Sequence, residues 1–551
     1  METVLPKNIN YMDNLPRAIP SEPKRRNFFP ANGNNYTLNG GQTAIIEIAD
    51  VRGFLDTTDS FLRFQLNNNS AGIGIATDFS PDFGGGHCFI RNLRVQQAGN
   101  TIMNIQRYNR LYNAIIAPVQ GKYGFKQTKS LTGGIGMGGS TNAANVNAPA
   151  TAAEFTGAVV TGSRCNSVGA VGVPALVGTD DTCEFVVPLF GGLFSQNKLI
   201  PLPMLNSPIQ IILDLETIVN CGAFTVAPRP QDFTITNMRY CAQMVEIPRD
   251  VMGYLKSVQE QHGGSLILPA TSYEHSAGVI SDLAGNGANS GLVGEVSLDI
   301  PTRKSSISSV QFVMMASPDT IGVYAADGMS GLGAIGTHTV MNLSSAGDPC
   351  LVNYQLRAGA HVIPNVAIVA PGGRSAVNAG AAGANGTAPI AGRPNKEDNR
   401  GESMLELQKA YGQLNTLQGS GSCNVLTWDN DALDIGTEFV CAQGQLGAGN
   451  DVCTARGNNA PGIEAVWRFC PFAIDCEAFQ RQALHSGLDT KSLSLQMQLV
   501  LNIDNTRSTR GAGGANAPTN VGTTNDVNVD IYTMYDVMYY INSDGSITYS
   551  D

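Results

Sequence analysis

Short runs of apolar residues, many of them alternating with polar ones, recur along most of the chain. They are rich in β-branched and aromatic side chains and end at turn residues, the pattern of half-buried strands. The runs in the first half are residues 43–48, 61–66, 88–95, 183–188, 209–215 and 233–247. Those in the second half are residues 265–268, 296–300, 306–315, 493–503 and 529–541. The pattern predicts an all-β protein.

Three segments have helical spacing instead of alternation. In residues 105–116, apolar side chains recur three or four positions apart, and residues 402–414 show a similar spacing. Residues 248–261 begin with Pro248, which suits the first position of a helix. Because this last segment lies between the two sets of strands, we interpret it as a connector.

The two halves of the chain end alike. In each, an alternating strand is followed by a loop and then by a long aromatic strand, at residues 233–247 and again at 529–541. With 551 residues, the chain is long enough for two domains. We predict four segments: an N-terminal arm at 1–34, a first β-domain at 35–248, a connector at 249–263 and a second β-domain at 264–551.

Long polar segments separate some of the strands. Residues 130–182, 371–394 and 504–528 are rich in Gly, Ala, Asn, Ser and Thr, which predicts surface loops. Charged residues make up only 14% of the chain, against about 25% in ordinary soluble domains. A surface with so few charges indicates extensive contact with other protein.

The net charge of −11 argues against a protein that wraps nucleic acid. The local exception is the cluster Lys24, Arg25 and Arg26 in the predicted arm. We favour a solvated charge cluster. The alternative is an arm on the inner face of an assembly that contacts genome, membrane or a minor protein.

The usual signs of catalysis or metal binding are missing from the sequence. It contains no P-loop, HExxH or GxSxG motif. Asp429, Asp431 and Asp434 lack the spacing of an EF-hand, which favours a solvated turn over a weak cation site between subunits. Trp428 and Trp467 are too few for a stacking platform. The histidines are scattered, and we expect surface or hydrogen-bonded polar roles for them: His87, His262, His275, His338, His361 and His485. We therefore predict no catalytic, cofactor-binding or metal-binding residue and no cofactor.

Eleven cysteines, with no CxxC pair, predict a protein without structural disulfides. Cys183, Cys241, Cys441 and Cys470 lie in apolar runs and are expected to be buried thiols. The sequence has no apolar stretch of about 18 residues and no signal-peptide pattern at its N-terminus, so we expect neither a transmembrane helix nor secretion.

Several stretches together resemble a known family. They are TRKSSISSVQFVMM, YQLRAGAHVIPN, ESMLELQKAYGQL, the segment at residues 472–502 and VDIYTMYDVMYYINSDGSI. Residues 354–364 and 472–502 are the most specific of these. The chain resembles the major capsid proteins of virophages and polinton-like viruses, relatives of the nucleocytoplasmic large DNA viruses. The second half, from about Pro301, carries most of the likeness, and the first half matches in layout.

The resemblance implies two tandem eight-stranded jelly-roll β-sandwiches with long loops and a few short helices. Three copies would form a pseudo-hexagonal trimeric capsomer that tiles an icosahedral shell around a double-stranded DNA genome. The implied partners are the chain itself, neighbouring capsomers, penton proteins and minor capsid proteins, with no small-molecule substrate. The implied location is the virion, assembled inside the host cell.

Two other hypotheses remain open at this point. A viral spike or surface receptor-binding β-protein would also contain β-domains, but it would usually carry a secretion signal or a stalk-like repeat. A β-sandwich enzyme such as a glycosidase would need a pair of carboxylates in a cleft rich in tryptophan. The sequence supports the non-enzymatic capsid hypothesis over both.

Overall fold

The computed structural model describes most of both halves of the chain. The described residues are 21–50, 52–69, 79–81, 84–120, 182–224, 230–261, 263–280, 293–316, 343, 351–370, 396–411, 471–478, 486–492, 496–504 and 527–551.

The first half forms two facing antiparallel sheets, with strands in the order β1-β12-β4-β8 and β3-β10-β6-β7. Strand β2 also pairs with β12, β9 pairs with β4, and β5 and β11 form a separate ribbon. The strands are β1 (Glu22–Phe28), β2 (Asn35–Thr37), β3 (Thr43–Ile48), β4 (Gly53–Asn68), β5 (Phe79–Pro81), β6 (Ile90–Gln97), β7 (Asn100–Ile105), β8 (Thr182–Val187), β9 (Ile200–Pro201), β10 (Ile209–Leu215), β11 (Gly222–Phe224) and β12 (Phe233–Glu246).

The second half repeats this plan, with sheets in the order β13-β20-β15-β18 and β14-β19-β16-β17, and with β21 added to β20. The strands are β13 (Ser265–Ile280), β14 (Val293–Ile300), β15 (Ile307–Ala316), β16 (Leu351–Ala358), β17 (His361–Val369), β18 (Phe472–Asp475), β19 (Met497–Asp504), β20 (Val527–Asn542) and β21 (Ile547–Ser550).

The two halves share one topology. Eight strands of the first half, taken in chain order, occupy the same places in their sheets as β13 to β20 of the second half. These eight are β2, β3, β4, β6, β7, β8, β10 and β12. In each half the first, third, sixth and eighth of these strands form one sheet and the other four form the second sheet. This is the jelly-roll arrangement, and it confirms the predicted pair of eight-stranded jelly rolls. We call them the first and second barrels.

Alternating burial explains why these segments form strands. In β3, every second side chain points into the sandwich, and the intervening ones face outward. The first barrel is filled by aromatic rings, with Phe64 stacked on Phe185 at 5.5 Å between ring centroids and Phe89 edge-on to both. In the second barrel, Phe312 stacks on Phe472 at 5.2 Å. In both barrels the stacked rings lie directly opposite each other on neighbouring strands of one sheet.

Helices occur only in the connections between the described strands. They are α1 (Tyr108–Leu111), which continues through a π-helical segment (Tyr112–Ile116) into α2 (Ala117–Gln120), then α3 (Arg249–Gln261) and α4 (Lys396–Ala410). Short 3-10 turns lie at Gly85–Phe89, Gly192–Phe194, Leu202–Met204, Ile218–Asn220 and Pro230–Asp232. Helix α3 lies between the last strand of the first barrel and the first strand of the second. The domain boundaries stay predictions.

The predicted helix at residues 105–116 begins later than expected. Ile105 is the last residue of β7, where it pairs with Leu93 of β6, so the helix starts at Tyr108. The residue just before it, Arg107, has a left-handed backbone with φ of +48°. This sharp turn allows an edge strand to pass directly into a helix.

Part of the predicted N-terminal arm belongs to the first barrel. Strand β1 pairs with β12 along its whole length, from Glu22 opposite Glu246 to Phe28 opposite Tyr240. The basic cluster lies on this strand. Lys24 forms an ion pair with Glu246 at 2.7 Å, and Arg26 forms one with Asp50 at 2.9 Å. Residues 22–28 are therefore a paired edge strand of the first barrel, and their basic side chains are largely exposed to water, as the favoured interpretation expected.

Burial of the cysteines agrees with the sequence where they can be compared. Cys183 and Cys241 are buried, and so are Cys88 and Cys221, while Cys476 is half-buried. Cys441 and Cys470 lie outside the described residues, as do almost all of the three predicted loops. Within the described ranges, no helix is long and apolar enough to cross a membrane.

Candidate functional site: the seam between the barrels

The two barrels touch along a continuous surface that we call the seam. The first barrel contributes β7, the segment 107–116, residues 190–206 and Gln97. The second barrel contributes β13, β20, the turn at residues 542–546 and β21. Because the seam joins elements far apart in the chain, it fixes how one barrel sits against the other.

A buried charged group lies at one end of the seam. Arg110 of α1 is fully buried, and its Nε lies 3.4 Å from Oδ2 of Asp530 on β20. The other carboxylate oxygen of Asp530 lies 2.9 Å from Nε2 of His275 on β13. Nη1 of Arg110 donates a hydrogen bond of 2.7 Å to the carbonyl oxygen of Leu343. One carboxylate thus joins a cation of the first barrel to an imidazole of the second.

Electrostatics keep Asp530 charged in this setting. Burial by itself would raise the pKa of its carboxyl group. The hydrogen bond with His275 and the positive charges of Arg110 and Arg107 outweigh burial and lower the pKa to about 2. The carboxylate is therefore ionised at any physiological pH, and the ion pair across the seam is permanent.

Tyr532 extends the same contact. It lies two residues beyond Asp530 on β20, and its hydroxyl donates a hydrogen bond of 3.1 Å to the carbonyl oxygen of Arg107. Arg107 in turn donates its backbone N–H to Oδ1 of Asn92 at 3.0 Å. Burial raises the pKa of Tyr532 well above its ordinary value, so the hydroxyl remains a donor.

A second polar contact closes the other end of the seam. The side-chain amide of Gln97, which is buried, donates to the carbonyl oxygen of Gly545 at 3.0 Å and accepts from the backbone N–H of Ile547 at 2.6 Å. The backbone N–H of Asn206 donates to the same carbonyl at 3.0 Å. Gly545 has φ of +81°, and a Cβ there would lie 2.5 Å from the nitrogen of Asn206. The turn therefore fits the first barrel only with glycine at this position.

Between these polar ends the seam is apolar and aromatic. Tyr108 stacks on Phe190 at 4.3 Å, and Phe190 meets Tyr273 of the second barrel edge-on. A Cβ added at Gly192 would lie 2.2 Å from the sulfur of Met103 and 2.7 Å from the hydroxyl of Tyr539. A larger residue at this position would displace the side chains of Met103 and Tyr539 and would also be strained, because Gly192 has φ of +51°.

Three histidines lie in the part of the chain that the structure describes, at polar or exposed positions. Nε2 of His87 lies 2.9 Å from the carbonyl oxygen of Pro188, and its ring stacks on Tyr112. His275 pairs with Asp530, and His361 is exposed on β17. Among the described residues, no group of three or more His, Cys, Asp or Glu could hold a metal ion.

The remaining candidates lie outside the described residues: His262, His338, His485, Asp429, Asp431, Asp434, Trp428 and Trp467.

Sequence reasoning did not find Arg110, Asp530 or Gln97. A signal for the first two was present, since each is a charged residue inside an otherwise apolar segment. Such a residue is rarely buried without a partner. Their pairing, across 420 positions of the chain, could not be read from either segment alone.

Comparison with known proteins agrees with the topology. No family model matches the chain, and no curated protein matches it in sequence. The structure of PBCV-1 VP54 fitted into a reconstruction of the virophage Sputnik matches 98% of this chain and 99% of its own, with a TM-score of 0.53 and 10% identity. A quasi-atomic model of the PBCV-1 virus capsid matches 98% of this chain and 100% of its own, with a TM-score of 0.51 and 10% identity. The chain therefore has the double jelly-roll fold of these capsid structures.

Proposed function

We propose that this chain is a viral major capsid protein, which forms homotrimeric capsomers that tile an icosahedral shell around a double-stranded DNA genome. The observation that carries the proposal is the pair of topologically identical jelly rolls locked together by the seam. Three such pairs place six similar barrels around one axis, which gives the nearly hexagonal outline that tiles a flat facet. The fold shared with the PBCV-1 capsid structures supports the same role.

The mechanism is assembly, with no turnover of a substrate. A tile must keep its shape while its edges form contacts, so the two barrels must not move against each other. The buried Arg110–Asp530–His275 group and the glycine contact at Gly545 supply this rigidity. We assign no catalytic residue and no cofactor.

The partners in this proposal are other copies of the chain, with penton and minor capsid proteins at the vertices and inner face, and the location is the virion. The structural setting of the basic cluster supports the solvated charge cluster that the sequence favoured over a genome contact. Lys24 and Arg26 already have carboxylate partners within the first barrel, and the Arg25 guanidinium lies 4.6 Å above the ring of Phe61. Within the predicted arm, the proposed contact with genome, membrane or a minor protein would involve residues 1–20.

Electron microscopy of the purified protein tests this function. We expect negative-stain images to show trimers with a pseudo-hexagonal outline, and arrays or shells at high concentration. Light scattering should give the mass of three chains at micromolar concentration. A well-folded monomer under the same conditions would refute the proposal. Trimers of another shape that never form arrays would favour the spike or receptor-binding hypothesis.

A further inference from the structure

Strand β7, the edge strand of its sheet, is covered in the seam. Its apolar side chains Ile102, Met103 and Ile105 are 4%, 4% and 0% exposed. The strand contacts β13 and β21 of the second barrel, and Ile105 and Met103 lie against the Gly191–Gly192 segment that faces Tyr273 and Tyr539. An apolar edge strand of the first barrel is thus buried by the second barrel.

Strand β17 is the counterpart of β7 in the second barrel, and it is not covered in the same way. It lies at the edge of its sheet beside β16, as β7 lies beside β6. Its sequence HVIPNVAIV is mainly apolar, yet most of its side chains are half-buried or exposed, and Val366 is 77% exposed. The chain therefore presents a second surface of the same kind without a second barrel to bury it.

The other half of the seam also has a counterpart. Strand β13 contacts β7, and β21, which also contacts it, is paired with β20. Strands β13 and β20 correspond to β2 and β12 in the first barrel, and β1 extends the same edge as β2. The outer side of β1 is largely exposed, and Phe29 directly after it is 55% exposed. Each counterpart surface thus carries one large apolar side chain in water.

We propose that the β17 surface around Val366 packs on the β1–β12 surface around Phe29 of a second copy of this chain, repeating the internal seam between copies. The inference rests on the proposed function and names the contact that builds its trimer. The two surfaces differ, so the contact between copies is heterologous. When each barrel is rotated by the same angle relative to the one before it, the series of barrels closes into a ring. Pro364 lies within β17 and has no N–H to donate, which disfavours addition of a further strand at this edge and favours face packing.

Charge substitutions at the two apolar side chains test the contact. Val366→Asp and Phe29→Asp should each weaken association at least tenfold, because a charge would be buried in the interface. Val279→Asp is the matched control, since Val279 is also exposed, at 53%, in the same barrel. We expect it to leave association within about twofold of the unchanged protein. Light scattering across a concentration series measures association, and circular dichroism checks that each variant is folded.

Mixing the two variants gives a readout that only this pairing predicts. The Phe29→Asp copy keeps an intact Val366 surface, and the Val366→Asp copy keeps an intact Phe29 surface. A mixture should therefore form dimers with one copy of each variant, whereas either variant by itself should associate only weakly. A contact between two Val366 surfaces would give no such rescue. If each variant by itself forms trimers as tight as those of the unchanged protein, the proposed contact is overturned and the capsomer proposal stays intact. A monomeric unchanged protein would overturn both.

Discussion

Asparagine in place of Asp530 keeps the shape of the side chain and removes its negative charge. The substitution leaves Arg110 fully buried in the seam without its counter-ion, and it places an amide group beside the guanidinium. We expect the two barrels to remain folded but to separate more easily. The variant therefore measures how strongly the buried ion pair holds the seam.

The size of the effect follows from the structure by two routes. Holding the carboxyl pKa at about 2 instead of 3.8 corresponds to about 2–3 kcal/mol in favour of the charged form, since one pH unit is worth a little over 1 kcal/mol. Removal of one partner of a buried pair typically costs about 3–5 kcal/mol. We take about 3 kcal/mol, which is equivalent to a roughly 100-fold increase in the opening equilibrium of the seam.

Native-state amide hydrogen exchange is the suitable assay, because a chain of two barrels need not unfold in one step. In Asp530→Asn, amides of α1 and of β20 near residue 530 should exchange about 100-fold faster, while those of β16 and β19 should change little. Glu295→Gln is the matched control. It removes the carboxylate of the Arg357–Glu295 pair, which has a similar distance of 3.5 Å but is exposed, and it should cost less than about 1 kcal/mol.

The pH dependence gives an independent check. The pKa of Asp530 is lowered on folding, so its contribution is fully present above the ordinary value of 3.8 and is lost as pH falls towards about 2. The difference in exchange between the unchanged protein and Asp530→Asn should therefore shrink across this window. A difference of less than threefold at neutral pH, no larger than that of Glu295→Gln, would refute the reasoning.

Three further predictions concern the turn, the arm and a loop. Gly545→Ala should lower the unfolding temperature clearly more than Gly264→Ala. Both glycines have positive φ, but only at Gly545 would the Cβ meet a backbone nitrogen of the first barrel, at 2.5 Å. Equal effects in calorimetry would contradict the close contact. Deletion of residues 1–30 removes β1 and should lower the unfolding temperature, whereas deletion of residues 1–20 should not; identical melting curves would show that β1 contributes nothing. Replacement of residues 138–169 by a short Gly/Ser linker should leave the first barrel folded by circular dichroism, and loss of all soluble protein would mean that this segment supplies core strands.

Local pattern was enough to predict the elements that bury one face. Residues 43–48 and 209–215 form strands with the predicted bounds, and α3 begins directly after Pro248. The resemblance in the second half led to the correct fold. These predictions succeed because alternation and helical spacing report directly which side chains must leave water.

Other features had no local signal. Strand β1 has the polar sequence EPKRRNF and becomes a strand only because the edge of β12 and the carboxylates of Glu246 and Asp50 are available to it. Arg110 and Asp530 were visible only as charges in apolar segments. Periodicity tells which face of a segment is buried, but the partner of a buried charge is set by the packing of one whole barrel on the other. The relative placement of the barrels, and with it the seam, was therefore decided by the tertiary structure.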